Sequence, residues 1–157
     1  MKMYRVSFAV MFAFALVVSS LFVQTKRADA LSYDGSNPYT TGCAYKSSFV
    51  YQTKSIYMTT ATGSKVILGY LQLWGSAYCH TAWAEVHLYG AAPYNGYANA
   101  MIHRSNGTES NCWSSGGNGT VDEGQHSCHT GQLWDKDPYQ SWSAGDIDNW
   151  GAYTDWF

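Results

Sequence analysis

Trp83, Glu85, His87 and Tyr89 take every second position of one short stretch, and Tyr97, Asn99, Met101 and His103 do the same in another. Alternate residues of a β-strand point to one face. If the two stretches pair, rings, a carboxylate, an amide and two imidazoles share one surface. Flat rings beside hydrogen-bonding groups suit sugars, whose C–H faces stack on aromatics while their hydroxyls seek polar partners. Trp83, Glu85, His87, Tyr89, Asn99 and His103 are therefore the candidate binding residues. The competing reading of the same pattern is the polar outer face of a half-solvated antiparallel sheet.

Other chemistries find less support. Glycoside hydrolysis needs two carboxyl groups at a set separation, and Glu85 is the only acid inside a clear strand pattern. Neither a Gly-x-Ser-x-Gly elbow nor a His-Glu-x-x-His zinc motif occurs in the chain. We assign no catalytic residue, and a hydrolase of extracellular polysaccharide or peptidoglycan stands as the alternative. His126, Cys128 and His129, with Cys112 upstream, are ligand types that zinc accepts. Outside the cell those cysteines oxidise instead. Asp146 and Asp148 open like a calcium loop, but its fifth and twelfth positions fall on Trp150 and Phe157, which offer no carboxylate. Asp135 and Asp137 could join them in an irregular calcium site, against the plainer reading of an acidic, solvated turn. We assign no metal and no cofactor.

The elements that must position these groups are strands. Lys65–Tyr89 is the centre: two alternating runs joined by a turn that carries Cys79. Phe49–Thr60 reads as the strand before it, bent near Lys54-Ser55, with Thr62-Gly63-Ser64 as the hairpin connection. Tyr97–Arg104 reads as a further strand, and Ser105-Asn106-Gly107 as a hairpin turn into Thr108–Trp113. Ser114–Thr120 carries little pattern and is expected to be mobile. Tyr139–Trp150 alternates poorly, while the apolar ending Tyr153–Phe157 is expected to dock on the sheet. The expected fold is all-β: a small antiparallel barrel or sandwich, disulfide-stapled.

The compartment follows from both ends of the chain. Lys2 and Arg5 precede an apolar run from Phe8 to Val23, and Ala28-Asp29-Ala30 fits a signal-peptidase site. The run is shorter than the ~20 residues of a spanning helix. Residues 1–30 are read as a signal peptide and 31–157 as a single secreted β-domain. Cys43, Cys79, Cys112 and Cys128 all follow the expected cut, and an even number in an exported chain points to disulfides. Three connectivities are possible. We favour Cys43–Cys79, tying the N-terminal arm to the central turn, and Cys112–Cys128, bracketing the Ser/Gly-rich excursion. Each contributes roughly 3–4 kcal/mol on the chain-entropy account.

Charge and composition narrow the partners. Past residue 30 the strong bases are Lys46, Lys54, Lys65, Arg104 and Lys136. They face ten acids, Asp34, Glu85, Glu109, Asp122, Glu123, Asp135, Asp137, Asp146, Asp148 and Asp155, for a net −5. Nucleic acid and anionic membrane are poor partners for such a surface. All seven Trp lie in this part, so the core is rich in rings that need hydrogen-bond partners. Most of those rings read as core and as satisfied rim positions; the sharper alternative is that a few form an exposed platform.

Tyr33-Asp-Gly-Ser-Asn-Pro-Tyr-Thr-Thr-Gly-Cys43, the strand Lys65–Trp74, Tyr78-Cys-His-Thr-Ala-Trp-Ala84 and the ending Thr154-Asp-Trp-Phe157 together carry a resemblance. The chain resembles the YjfA-like family of bacterial proteins, a domain of unknown function numbered 2690. The resemblance implies an exported, cysteine-linked β-domain. In some relatives the same domain stands behind a DNA-binding segment, which we do not expect here. No functional residue transfers from it. Trp83-Ala-Glu-Val86 after the hairpin is also loosely similar to bacterial SH3-like wall-binding modules. The functional expectation is an accessory or binding domain at the cell surface, with cell-wall glycan or a protein as partner. The remaining alternative is a secreted interaction protein of toxin or inhibitor type.

Overall fold

The computed structural model describes residues 33–157. The expected signal peptide, residues 1–30, lies outside them.

Nine strands form two antiparallel sheets. In the first, β1 (Ser48–Thr59) pairs with β2 (Lys65–Ser76), and β2 with β3 (Thr81–Leu88). The free side of β3 receives two short strands, β6 (Ser127–His129) and β7 (Leu133–Trp134), at different points along its length. The second sheet runs β5 (Glu109–Asn111), β4 (Ala98–Arg104), β8 (Ser141–Ile147), β9 (Trp150–Tyr153). The two sheets are separate hydrogen-bonded sets and do not close on each other. The fold is the sandwich of the two expected forms; the barrel, and with it the SH3-like likeness, is set aside.

The core explains this choice. β3 turns Ala82, Ala84, Val86 and Leu88 inward, and β4 turns Ala98, Ala100 and Ile102 inward. Leu71, Leu73, Ile56, Ile147, Val121 and Leu133 complete the same cluster. Strands whose inner residues are this small let the sheets approach closely. A Cβ added at Gly145 would lie 2.8 Å from Leu71 Cδ1, and one at Gly69 would lie 2.8 Å from Ile147 Cδ1, each on the opposite sheet. Neither position can carry a side chain without separating the layers.

Several expectations are corrected here. β3 and β4 do not pair; they pack face to face from opposite sheets, because each has an apolar face of small residues to bury. The bends of the first hairpin fall at Tyr51 and Leu68, where the register slips by one residue, and not at Lys54-Ser55. Ser114–Thr120 is folded into hydrogen-bonded turns: Gly119 N–H donates to the Cys112 carbonyl at 2.8 Å, and Asn118 Oδ1 accepts from His129 N–H at 2.7 Å. Tyr139–Trp150, which alternates poorly, holds β8 and the first residue of β9. Both disulfides form as expected, Cys43–Cys79 and Cys112–Cys128. The second does more than close a loop, since Cys112 follows β5 in one sheet and Cys128 lies in β6 of the other.

Candidate functional site

The sandwich divides the six sequence candidates between its two outer faces. Trp83, Glu85 and His87 lie on the outer side of β3, with Tyr89 just beyond it. Asn99 and His103 lie on the outer side of β4, in the other sheet. No single surface can contain all of them.

On the first face the groups bind one another. Glu85, 4% exposed, accepts hydrogen bonds from Trp83 Nε1 at 2.8 Å and Tyr39 Oη at 2.5 Å on one oxygen. Its other oxygen meets His87 Nε2 at 3.0 Å. Burial alone would raise the Glu85 carboxyl, but the bonds from His87, Tyr39 and Trp83 outweigh it and hold the group below the usual range. Tyr39 is pushed up, first by burial and then by its bond to Glu85. Trp83, 1% exposed, stacks near-parallel with Trp74 at 5.9 Å, and His87 stacks on Tyr70 at 4.9 Å. The Glu85 carboxylate and the Trp83 ring are both withdrawn from solvent and offer a ligand almost no open surface. Tyr89 is exposed and edges a hollow of about 210 Å³ shared with Tyr97 and Leu68.

The second face is open. Asn99, Met101 and His103 point outward from β4; Trp142, Ala144 and Asp146 from β8; Gly151 and Tyr153 from β9. The registers set Asn99, Asp146 and Gly151 in one row, Met101, Ala144 and Tyr153 in the next, and His103 beside Trp142 in a third. Ala144 and Gly151 are small, so the middle of this face is a trough. Two depressions meet along Ala144 and Tyr153. One, about 420 Å³, is lined by Asn99, Met101, Asp146 and Gly151; the other, about 550 Å³, by Trp142, Thr154, Asp155 and Trp156.

The trough walls are fixed by local contacts. His103 lies flat on Trp142 at 4.1 Å and its Nδ1 meets Glu109 Oε1 at 2.7 Å. Trp156 meets Trp142 edge-on at 6.0 Å. Asn99 Oδ1 accepts from the Cys112 N–H at 3.3 Å, and its amide NH2 has no hydrogen-bond partner among the described residues. Asp146 is raised by partial burial. Among the described residues, no three His, Cys, Asp or Glu side chains converge as a metal site. Cys112 and Cys128 are bonded to each other, and Asp148 accepts from Tyr94 Oη at 2.5 Å.

The profile of a family described as Protein of unknown function (DUF2690) matches residues 31–143. The chain belongs to the DUF2690 family. The uncharacterized protein YjfA of Bacillus subtilis (strain 168) is 36% identical over 146 residues, which cover 92% of this chain and 87% of that protein. No solved structure matches.

In this DUF2690 chain the distinctive segment Tyr33–Cys43 is a strap, not a site. Asp34 accepts two bonds from buried Arg104 Nη1, at 3.0 and 2.7 Å, and one from the Trp134 N–H at 2.6 Å. Fully buried Gln132 donates to Ser36 and Thr41 through its NH2 and accepts from Thr81 through its carbonyl. Tyr39 takes Glu85, and Cys43 takes Cys79. Asp34, Ser36, Tyr39, Thr41 and Cys43 thus fasten the strap to buried partners on the sandwich.

Trp142, Tyr153 and Trp156 were missed as site residues. Their signal was present: Trp142, Ala144 and Asp146 alternate with Ser141, Ser143, Gly145 and Ile147, but an inward face of Ser, Ser and Gly does not register as hydrophobic.

Proposed function

We propose that this chain is an exported, non-catalytic domain that binds cell-surface glycan in the trough of its second sheet. The observation that carries this reading is Tyr153, 73% exposed, standing over the Ala144–Gly151 floor between two depressions. A ring free on its face, beside an amide and a carboxylate, offers a sugar both the stacking surface and the hydrogen bonds it needs. Trp156, half exposed, offers a second ring along the same line. The net negative charge disfavours polyanionic ligands.

Export is supported by the basic, apolar and small-residue pattern of residues 1–30 and by two disulfides, which persist in oxidising compartments. Among the described residues no helix is long and apolar enough to cross a membrane. The non-catalytic assignment is supported by Glu85, whose carboxylate is sealed and held ionised, the reverse of a general acid.

The test is retention on insoluble peptidoglycan, chitin and cellulose. We expect retention on at least one, reduced about tenfold by Tyr153→Ala and by Trp156→Ala, the loss of about 1.4 kcal/mol of ring contact. Tyr89→Ala, on the other face, should leave it unchanged. Absence of retention on all three, or indifference to Tyr153→Ala, overturns the proposal.

A further inference from the structure

The two depressions of the trough differ in one respect that bears on the ligand. In the larger, Asp155 is already neutralised: Lys54 Nζ lies 3.6 Å from its carboxylate and Gln52 Nε2 donates to it at 2.9 Å. Glu109, at the far edge, is taken by His103. In the smaller depression, Asp146 has no hydrogen bond or ion pair among the described residues, and no Lys, Arg or His lines the hollow. Around that carboxylate stand Asn99, with its NH2 free to donate, the thioether of Met101, and the exposed ring of Tyr153. A carboxylate without a cation, beside an aromatic face, complements a positively charged group on the ligand.

We propose that this depression recognises an amino sugar with a free ammonium group, so that the preferred glycan is one whose N-acetyl groups have been removed. The ammonium donates to Asp146 and lies near the face of the Tyr153 ring, while Asn99 donates to a neighbouring hydroxyl. An N-acetylated sugar keeps the stacking and the hydroxyl contacts but brings no charge to Asp146. It also places a methyl group where the carboxylate wants a donor. The inference rests on the glycan-binding reading and adds the class of sugar to it.

The test compares retention of the folded protein on chitosan, on chitin, and on the same chitosan after chemical re-acetylation. Wild type should bind chitosan about tenfold tighter than chitin, the worth of one charge-assisted hydrogen bond, and re-acetylation should remove the difference. Asp146→Asn should lose the preference, retaining chitosan no more tightly than chitin, with an unchanged near-ultraviolet circular dichroism spectrum. Because an acidic protein can adhere to a cationic polymer through bulk charge, Glu123→Gln, an exposed acid away from the trough, is the control and should keep the preference. Equal retention on chitosan and chitin, or an equal loss in Glu123→Gln and Asp146→Asn, overturns the inference and leaves the glycan-binding reading standing. No retention on any glycan removes both.

Discussion

Glu85 and Asp135 are both carboxylates withdrawn from water, and their surroundings move them in opposite directions. Glu85 has three donors and is held low. Asp135 is raised from 3.8 to about 6, chiefly by burial, against the weaker pulls of the Ser141 hydroxyl, of Tyr51 Oη at 3.4 Å and of the more distant Arg104. One of its oxygens and the nearby Ser141 hydroxyl are buried without a well-aligned partner. The consequence is a pH dependence with two limbs. A raised carboxyl keeps its proton in the folded state after the unfolded chain has lost it, so stability falls as pH rises from about 4 to about 6. The depressed Glu85 works the other way, and its contribution is lost only as pH falls below its unfolded value of 4.5. The Asp135 shift corresponds to about 3 kcal/mol, trimmed to about 2 kcal/mol by its partial exposure. Asp135→Asn should therefore be more stable than wild type at pH 7 by about 2 kcal/mol, and its melting temperature should no longer decline between pH 4 and 6. Thermal unfolding at four pH values across that window checks both the sign and the limits. An unchanged decline in the variant would place the titration elsewhere.

Among the elements, the strap is the one whose importance depends most on residues far from it in sequence. Tyr33–Gly42 reads as a run of turns, and turns they are: Asn37 Oδ1 accepts from the N–H groups of Tyr39 and Thr40, and Gly35 and Gly42 take positive φ. Its anchoring to Arg104, Gln132 and Glu85 could not be foreseen, since each contact spans a long stretch of chain whose fold must already be known. Arg104 is 4% exposed and spends its guanidinium on Asp34, Asn106 and Thr108, with Tyr139 beneath it at 5.0 Å. Asp34→Ala leaves that cation buried without its counter-ion, at a cost of about 3 kcal/mol. A urea midpoint lowered accordingly, with Asp34→Asn intermediate, is the expected outcome. Legibility varied among the strands for equally physical reasons. β1 announced itself by its β-branched and aromatic residues, β2 by its dense apolar run, and β3 and β4 because Ala, Val, Leu and Ile take every second position. β8 did not, because close sheet approach demands Ser143 and Gly145 where a hydropathy reading looks for Leu. β6 and β7 are too short to show any period, and exist only because β3 offers them an edge.

At the scale of the whole molecule, the question is what keeps two unclosed sheets together. Chain entropy alone ranks the disulfides by the loop each closes. Cys43–Cys79, whose partners stand 36 positions apart, should contribute about 3.8 kcal/mol. Cys112–Cys128, whose partners stand 16 positions apart, should contribute about 3.1 kcal/mol. Location argues for the opposite order. Cys112 and Cys128 are members of the central hydrophobic cluster and fasten β5 and β4 to β6 across the sandwich, and Cys112 Sγ also accepts the Ala100 N–H at 3.3 Å. Cys43 and Cys79 are buried too but lie outside that cluster, joining the strap to the turn after β2. Replacing the inner pair with alanine removes the cross-link and also leaves a void between the layers, which adds about 1–2 kcal/mol of cavity cost. The double variant Cys112→Ala/Cys128→Ala should therefore lose more stability than Cys43→Ala/Cys79→Ala, despite its shorter loop. Equilibrium urea unfolding of the two variants beside wild type measures the difference directly. If the longer loop proves the costlier to open, restriction of the unfolded chain governs this sandwich, and the buried sulfurs between its sheets add little beyond it.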